Sequence, residues 1–293
     1  MTRAVVMSWR NYQPYGKECY DPLWYGFLRN LKLWANEFDK LYILDSLWNF
    51  TQEDARQLSM VKDSFEFVTT DPSDRYYDAY KKFLPNVKED LILFMDNDVV
   101  VYKPGKVDET FKWLGTPIGD DNRKPDVVSI YDTIGEKTDP RLNGKSKFCP
   151  YWFATKTEFL MKYRDCEWGP VPWGETLSEL TFKMLDDGAK PFEWTEDKSN
   201  ILIDGSKDGE RGKDLGYYHI RAGSTPAYLL AELKYGNKQT FKDYLDHQPM
   251  SEYLRQCAWY QYLGGEPMPI WEEDITQGGW DSYMKDFIKY HGL

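Results

Sequence analysis

Two aspartates separated by one residue follow an apolar run in this chain and precede three valines. The run, Leu91–Met95, is typical of a central strand of a parallel sheet, which is buried on both faces. Asp96 and Asp98 at its carboxyl end need a partner, because burying an unpaired carboxylate costs several kcal/mol. A divalent cation carrying a diphosphate would supply one, since Mg²⁺ binds one or two protein carboxylates and completes its shell with phosphate oxygens and water.

Strand and helix patterns alternate around the two aspartates. Strand patterns cover residues 4–7, 40–45, 65–70 and 91–95, and helical patterns cover 20–37, 51–63 and 75–84 between them. Thr51 is expected to cap the second helix, with Asp54 in its first turn. This succession predicts a parallel, Rossmann-like sheet with right-handed crossovers, and ligands bind at the carboxyl edge of such sheets.

The second part of the chain continues with shorter elements. Strand patterns lie at residues 126–131, 151–154 and 217–221, and helical patterns lie at 156–163 and 176–187. Segments 135–147 and 204–213 are rich in glycine and charge, which predicts loops, the first of them a linker or lid. Helical patterns and aromatic residues fill residues 226–293.

Composition narrows the functional classes. The net charge of −11 argues against nonspecific binding to nucleic acids or other polyanions. Every apolar run is shorter than the roughly 20 residues that span a bilayer, so no membrane span is expected. The four cysteines have no CxxC spacing, which predicts reduced thiols in a cytoplasmic protein rather than a zinc site or a disulfide framework.

The order of elements and the strand-terminal Asp96-Asn97-Asp98 resemble the GT-A glycosyltransferases, which use nucleotide sugars on a Rossmann-like sheet. In that family a DxD motif closes an early strand between apolar residues, as it does here. The resemblance implies an α/β fold with a mixed, mostly parallel sheet flanked by helices. It also implies a catalytic domain over residues 1–225, with a nucleotide-binding half (1–110) and an acceptor half (111–225), and a helical extension (226–293) packed on it.

The resemblance assigns metal ligands. Asp98 would coordinate Mn²⁺ or Mg²⁺, and Asp96 would contact the metal, its water shell or the ribose. His219 matches the late histidine with which many members complete the site, and imidazole suits such metals. The glycine-lysine-proline stretch that follows in the family is here Gly223-Ser224-Thr225-Pro226, so Arg221 would serve the phosphate. The alternatives are aspartates that cap a helix or pair with Lys103 or Arg75, and a histidine hydrogen-bonded in the core.

Three further residues are assigned to the nucleotide. Ser8 and Asp45 follow the first and second strand patterns, and Arg75 opens the helix before the aspartate strand. Asp45 would contact the base or the ribose, or else cap a helix. Arg75 would contact the diphosphate, or else belong to a solvated helix face.

The residue facing the acceptor is less well defined. In inverting members an acid at a helix start removes the acceptor proton as general base. The family pattern has adjacent acids after tryptophan-glycine, whereas here Glu175 and Glu179 are one helical turn apart. A retaining enzyme needs no such base. Trp152, Trp168 and Trp173 either stack on sugar faces or pack beneath the loop.

These residues predict a metal-dependent hexosyltransferase that moves a sugar from a nucleoside diphosphate sugar, with a UDP-sugar favoured, to a hydroxyl acceptor such as a glycan or a lipid-linked sugar. A sugar-phosphate nucleotidyltransferase is the first alternative, although the sequence after the first strand lacks the glycine-rich loop that such enzymes use. A carbohydrate-binding protein without catalysis is the second. A nucleic-acid acceptor is disfavoured by the acidic balance.

Overall fold

The structure, a computed structural model, describes residues 1–10, 24, 27–28, 30–97, 99–101, 104–117, 122–132, 147–172, 176–192 and 217–219. The strands are β1 (Arg3–Arg10), β2 (Lys40–Ser46), β3 (Phe65–Thr69), β4 (Leu91–Met95), β5 (Val99–Val101), β6 (Val127–Asp132), β7 (Lys147–Lys156), β8 (Pro191–Phe192) and β9 (Tyr217–His219). The α-helices with complete bounds are α1 (Gln52–Ser59), α2 (Tyr76–Phe83), α3 (Lys106–Gly115), α4 (Thr157–Met161) and α5 (Ser178–Asp186). Residues 24, 27–28 and 30–31 are also helical.

Seven strands form one sheet in the order β3-β2-β1-β4-β7-β6-β8. Six of them run in the same direction, and β7 alone runs antiparallel to its neighbours β4 and β6. The sheet is therefore mixed and mostly parallel, which confirms the predicted fold class.

Apolar side chains cover both faces of this sheet. On one face, Val5, Met7 and Trp9 of β1 pack with α3 and with helical residues of the preceding segment, namely Trp24, Phe27, Leu28 and Leu31. On the other face, Ala4 and Val6 pack with α2, α4 and α5. Alternate residues of a strand point to opposite faces, and both faces are buried, so β4 is apolar at every position.

The predicted elements in the first part of the chain are present, with shifted ends. The cap of α1 forms as expected: the Thr51 hydroxyl accepts from the Asp54 N–H, and Asp54 in return accepts from the Thr51 N–H. The helix ends at Ser59 rather than at residue 63. The Lys62 ammonium donates to the carbonyl oxygens of Ala35 and Phe38. These bonds hold the segment after α1 against the segment before β2.

Two features differ from the sequence prediction. Helix α3 was not predicted, although Val107, Phe111 and Leu114 bury one face of it with helical spacing. No element was predicted for the valines after the aspartates. They form β5, which pairs with β9 in a separate two-stranded sheet.

Within the described part of the chain, no helix is long and apolar enough to span a membrane. Segments 135–146, 204–213 and 226–293 lie outside the described residues. The predicted lid, the second loop, the helical extension and the division into halves therefore stay predictions.

Candidate functional site

The chain order of the sheet creates a switch point between β1 and β4. From β1 the chain proceeds through β2 to β3 on one side, and then returns to β4 on the other side of β1. In open α/β sheets, ligands bind in the crevice at the carboxyl ends of the two strands that flank such a point. Ser8 lies near the carboxyl end of β1, and Asp96 directly follows β4. The topology thus places both residues at the expected ligand edge.

Asp96 is held by backbone contacts on two sides. Its N–H donates to the carbonyl oxygen of Tyr151 in β7 at 3.4 Å, and its own carbonyl oxygen accepts from the Val99 N–H at 3.3 Å. The first contact ties the residue to β7, and the second closes the turn into β5. The residue is partly exposed.

The pairing of β5 with β9 brings two predicted metal-ligand segments together. In this antiparallel pair His219 lies opposite Val99, the residue that follows Asp98. Directly opposed residues of antiparallel strands have Cα atoms roughly 4.5–5.5 Å apart. Asp98 and the side chain of His219 lie outside the described residues, and no group of three metal-binding side chains occurs among those that are described. Metal binding by Asp96, Asp98 and His219 therefore stays a prediction.

Asn30, a residue that the sequence reasoning missed, holds the other edge of β5. Its amide nitrogen donates to the Val101 carbonyl oxygen at 2.8 Å, and its amide oxygen accepts from the Val101 N–H at 3.1 Å. The same oxygen accepts from Trp34 Nε1. Asn30 is buried, and it satisfies both backbone polar groups of Val101 as a neighbouring strand would. Its position on the otherwise apolar face of the first helical pattern was the sequence signal that could have identified it.

Asp45 braces the loop after β2. One carboxylate oxygen accepts from the Asn49 N–H and the other from the Phe50 N–H, both at 3.0 Å. Leu47 and Asn49 adopt positive φ angles of 66° and 60°, which are unfavourable for non-glycine residues. Asp45 therefore stabilises a strained loop that leads to the cap of α1. Its predicted contact with the nucleotide is untested.

Arg75 lies at the amino end of α2 and is exposed. Its N–H donates to the Asp78 carboxylate at 3.3 Å, and its guanidinium donates to the Tyr77 hydroxyl at 3.2 Å. These contacts are those of a helix terminus at the surface. The predicted diphosphate contact stays a prediction.

Glu179 lies in the first turn of α5, where its carboxylate forms an ion pair with Lys183 at 3.3 Å. Glu175, Trp173 and Arg221 lie outside the described residues. Of the two alternatives for Trp152 and Trp168, stacking on sugar faces is excluded, because both side chains are almost fully buried. The Trp168 indole donates to the Tyr163 carbonyl oxygen, and its ring packs edge-on against Phe94. Both tryptophans belong to the core.

Two buried polar atoms near the carboxyl edge have no hydrogen-bond partner in the structure as described: Trp9 Nε1 and Ser46 Oγ. Their residues lie at the ends of neighbouring strands, where Trp9 pairs with Asp45 and Arg10 pairs with Ser46. Buried polar atoms are normally satisfied by protein, water or ligand. The Trp9 indole is fully buried among Trp24, Phe27 and Trp48, so its Nε1 is a polar atom of the core.

No protein-family model and no curated protein matches the sequence. Among solved structures, a mannosyltransferase from Pyrobaculum calidifontis in complex with GDP-Man and Mn²⁺ is 15% identical, with a TM-score of 0.48 over 89% of this chain and 72% of that chain. Glucosyl-3-phosphoglycerate synthase from Mycobacterium tuberculosis, in complex with Mn²⁺, UDP and phosphoglyceric acid, is 16% identical, with a TM-score of 0.36 over 64% of this chain and 63% of that chain. CMP:2-keto-3-deoxy-manno-octonic acid synthetase with CTP is 11% identical, with a TM-score of 0.42 over 66% and 90%. These likenesses concern the fold, which does not specify an activity.

Proposed function

We propose that this chain is a metal-dependent glycosyltransferase that moves a hexose from a nucleoside diphosphate sugar, with a UDP-sugar favoured, to a hydroxyl acceptor. The observation that carries the proposal is the β5–β9 pairing. It lays the strand of His219 against the strand that starts directly after Asp98, beside the switch point of the sheet. The residue that follows Asp98 and the strand that contains His219 are distant in sequence, and this pairing makes them neighbours close to the edge where ligands bind in such sheets.

The residues at this edge fit a divalent metal and a nucleotide. Asp96, Asp98 and His219 offer the oxygen and nitrogen donors that Mn²⁺ and Mg²⁺ accept. When bound, the metal would neutralise the negative charge that develops on the leaving diphosphate. The partial exposure of Asp96 supports the fit, because a ligand must be able to reach the residue that binds it. Ser8, Asp45, Arg75 and Arg221 are the proposed nucleotide contacts.

On the acceptor side, Glu175 or Glu179 would take the proton from the attacking hydroxyl in an inverting reaction. Glu179 is bound to Lys183 and must exchange that partner for the acceptor hydroxyl before it can act as the base. In a retaining reaction neither glutamate is needed, because the leaving phosphate takes the proton. Replacing each glutamate by glutamine separates the two cases, since the inverting reaction depends on one of them.

The test is release of nucleoside diphosphate from a panel of UDP-glucose, UDP-galactose and GDP-mannose, with Mn²⁺ and with EDTA. Native protein should turn over at least one donor only with Mn²⁺. Asp98→Ala should lose about 100-fold or more in kcat/KM, because a site without this ligand stabilises the leaving group poorly. Asp63→Ala is the matched control, since this exposed aspartate precedes β3 at the opposite edge of the sheet.

Equal turnover by native protein and Asp98→Ala, with and without Mn²⁺, would reject the proposal. Release of pyrophosphate from UTP and a sugar 1-phosphate would assign a nucleotidyltransferase instead. Calorimetric binding of a free sugar without dependence on nucleotide or metal would assign a carbohydrate-binding protein.

A further inference from the structure

The hydrogen-bond ladder between β1 and β4 stops at the switch point. The pairs run from Arg3 opposite Leu91 to Val6 opposite Phe94. At the start of the ladder, the Leu91 N–H donates to the Thr2 carbonyl oxygen at 3.0 Å. In a parallel pair, alternate residues of one strand bond to the same neighbour. Continuing this register, the next bond would join the Ser8 N–H to the Met95 carbonyl oxygen.

The Tyr80 hydroxyl occupies the position of that next bond. It accepts from the Ser8 N–H at 3.1 Å and lies 3.4 Å from the Met95 carbonyl oxygen, toward which it donates. The second distance is at the long end of hydrogen-bond geometry. One side-chain oxygen therefore stands between two backbone groups that would otherwise bond to each other.

The ring of Tyr80 is fixed by its surroundings. It is almost fully buried on α2, and its centroid lies 4.7 Å from that of Phe94 in β4 and 6.0 Å from that of Tyr76. A buried aromatic ring in contact with a strand has little freedom to withdraw. The hydroxyl is consequently a fixed spacer between the two strand ends.

The spacer has a direct consequence for Asp96, which follows Met95. Beyond the spacer, the Asp96 N–H bonds to Tyr151 of β7, and β1 continues to Arg10 alongside β2. The strands thus part at Ser8 and Met95, and the two proposed donor-site residues Ser8 and Asp96 lie on opposite sides of this fork.

We propose that Tyr80 is a positioning residue of the donor site: its hydroxyl sets the opening of the fork between β1 and β4, and so places Asp96 relative to Ser8. This inference rests on the proposed function, since it assigns Tyr80 to the nucleotide and metal site described above. Without the hydroxyl, the Ser8 N–H and the Met95 carbonyl oxygen either bond directly and narrow the fork or stay unpaired.

The test compares Tyr80→Phe with Tyr42→Phe. Tyr42 is a buried tyrosine of β2 on the same face of the sheet, and its hydroxyl donates to Glu89, which precedes β4 and so lies away from the carboxyl edge. Calorimetry measures binding of UDP and of GDP in the presence of Mn²⁺. Tyr80→Phe should bind the preferred nucleotide about 10-fold more weakly, whereas Tyr42→Phe should change less than 2-fold. Urea midpoints should fall by similar amounts in both variants, so that lost stability alone does not explain the difference.

A second measurement leaves the hydroxyl in place. 3-Fluorotyrosine is introduced at position 80, or at position 42 as control. The ¹⁹F resonance is followed as the diamagnetic Mg²⁺ and the nucleotide that binds in the calorimetry, UDP or GDP, are added. The signal at position 80 should shift on binding, and the signal at position 42 should not. This experiment remains decisive if Tyr80→Phe does not fold.

The outcomes separate the two proposals. Native protein that binds neither UDP nor GDP with Mn²⁺ would overturn the proposed function, and this inference with it. Native protein that binds, together with an unchanged affinity in Tyr80→Phe or an unshifted resonance at position 80, would overturn only the role of Tyr80.

Discussion

Two polar side chains from helices bind backbone groups that have no neighbouring strand to bond to in the described part of the chain. One set of these groups precedes the two aspartates in sequence and the other follows them. Asn30 bonds to both backbone groups of Val101, and Tyr80 separates Ser8 from Met95. Strand ends at a ligand edge leave backbone groups unpaired, and each buried group left so costs roughly 1–3 kcal/mol. The two side chains remove this cost while keeping the edge open. The bonds from Asn30 therefore help to fix β5, a strand of only three residues that begins directly after Asp98.

Asn30→Asp tests this role. The new carboxylate still accepts from the Val101 N–H, but it faces the Val101 carbonyl oxygen without a donor between them. We expect the free energy of unfolding to fall by about 1–3 kcal/mol, as for other buried groups left unsatisfied. The measurement is urea unfolding followed by circular dichroism at pH 7.

Asn86→Asp is the control for Asn30→Asp, because it adds the same charge at an exposed position. Surface changes of this kind stay within about 0.5 kcal/mol. If the two variants were equally stable, the amide pairing with Val101 would contribute nothing measurable.

The sequence predicted Asp96 but neither Asn30 nor Tyr80, and the reason is physical. An acid after a buried apolar run is a local pattern, legible within eight residues of the chain. Val101, which Asn30 binds, and Ser8, which binds Tyr80, lie 71 and 72 residues away from them in sequence. Tyr80 looks like any other tyrosine of an amphipathic helix, and the polar Asn30 on an apolar helix face indicates that a partner is needed but not which one.

Among the helices and strands, α3 depends on a distant cap. The Glu37 carboxylate accepts from the N–H groups of Gly105, Val107 and Asp108 at 2.6, 2.8 and 3.0 Å. These groups have no partner within the helix, since the first N–H groups of any helix lack one. A negative charge at this end also interacts favourably with the positive end of the helix dipole. Gly105 precedes the helix with φ of 90°, a conformation that favours glycine.

Glu37→Ala should therefore cost more than an ordinary surface change. We expect a loss of about 1–2 kcal/mol in the free energy of unfolding, the usual range for removing a helix cap. Glu66→Ala is the control, because its carboxylate is exposed and lies 3.6 Å from Lys40 in a surface ion pair. Such pairs contribute between 0 and about 1 kcal/mol. Equal losses in urea unfolding would show that the Glu37 contacts do not act as a cap.

The elements themselves were largely predictable, whereas their partners were not. The hydrophobic pattern of 91–95 matches β4 residue for residue, because a strand buried on both faces is apolar throughout. The same pattern says nothing of direction, so the antiparallel course of β7 and the departure of β5 to a second sheet appear only in the fold. Both features bear on the site, since β7 holds Asp96 and β9 carries His219.

At the scale of the whole molecule, β1 contacts two neighbouring strands of the sheet and also a helix that covers one face of it. It pairs with β2 and β4 in the sheet, and its first residue, Arg3, reaches α3 through an ion pair with Asp108 at 2.5 Å. Lys112 of α3 binds the other oxygen of the same carboxylate at 2.5 Å. Asp108 is thus an acid paired with two cations, and its contribution to the stability of the fold depends on pH.

The Asp108 pair predicts how stability depends on pH. The hydrogen bond from Lys112, followed by that from Arg3, lowers the pKa of the Asp108 carboxyl in the folded state below its ordinary value of 3.8. The folded state thus binds this proton less readily than the unfolded state. Its contribution to stability is complete above the ordinary pKa and is lost as the pH falls through the lowered one.

Asp108→Asn should accordingly be less stable than native protein at pH 7, by roughly 0.5–1 kcal/mol, and the difference should shrink between pH 5 and pH 3. The measurement is the urea midpoint at pH 7, 5, 4 and 3. Asp165→Asn is the control, because this side chain is fully exposed and lies 3.9 Å from Arg164, and its effect should be small at every pH. A difference between Asp108→Asn and native protein that stayed constant down to pH 3 would mean that the carboxylate stabilises the fold by packing rather than through its charge.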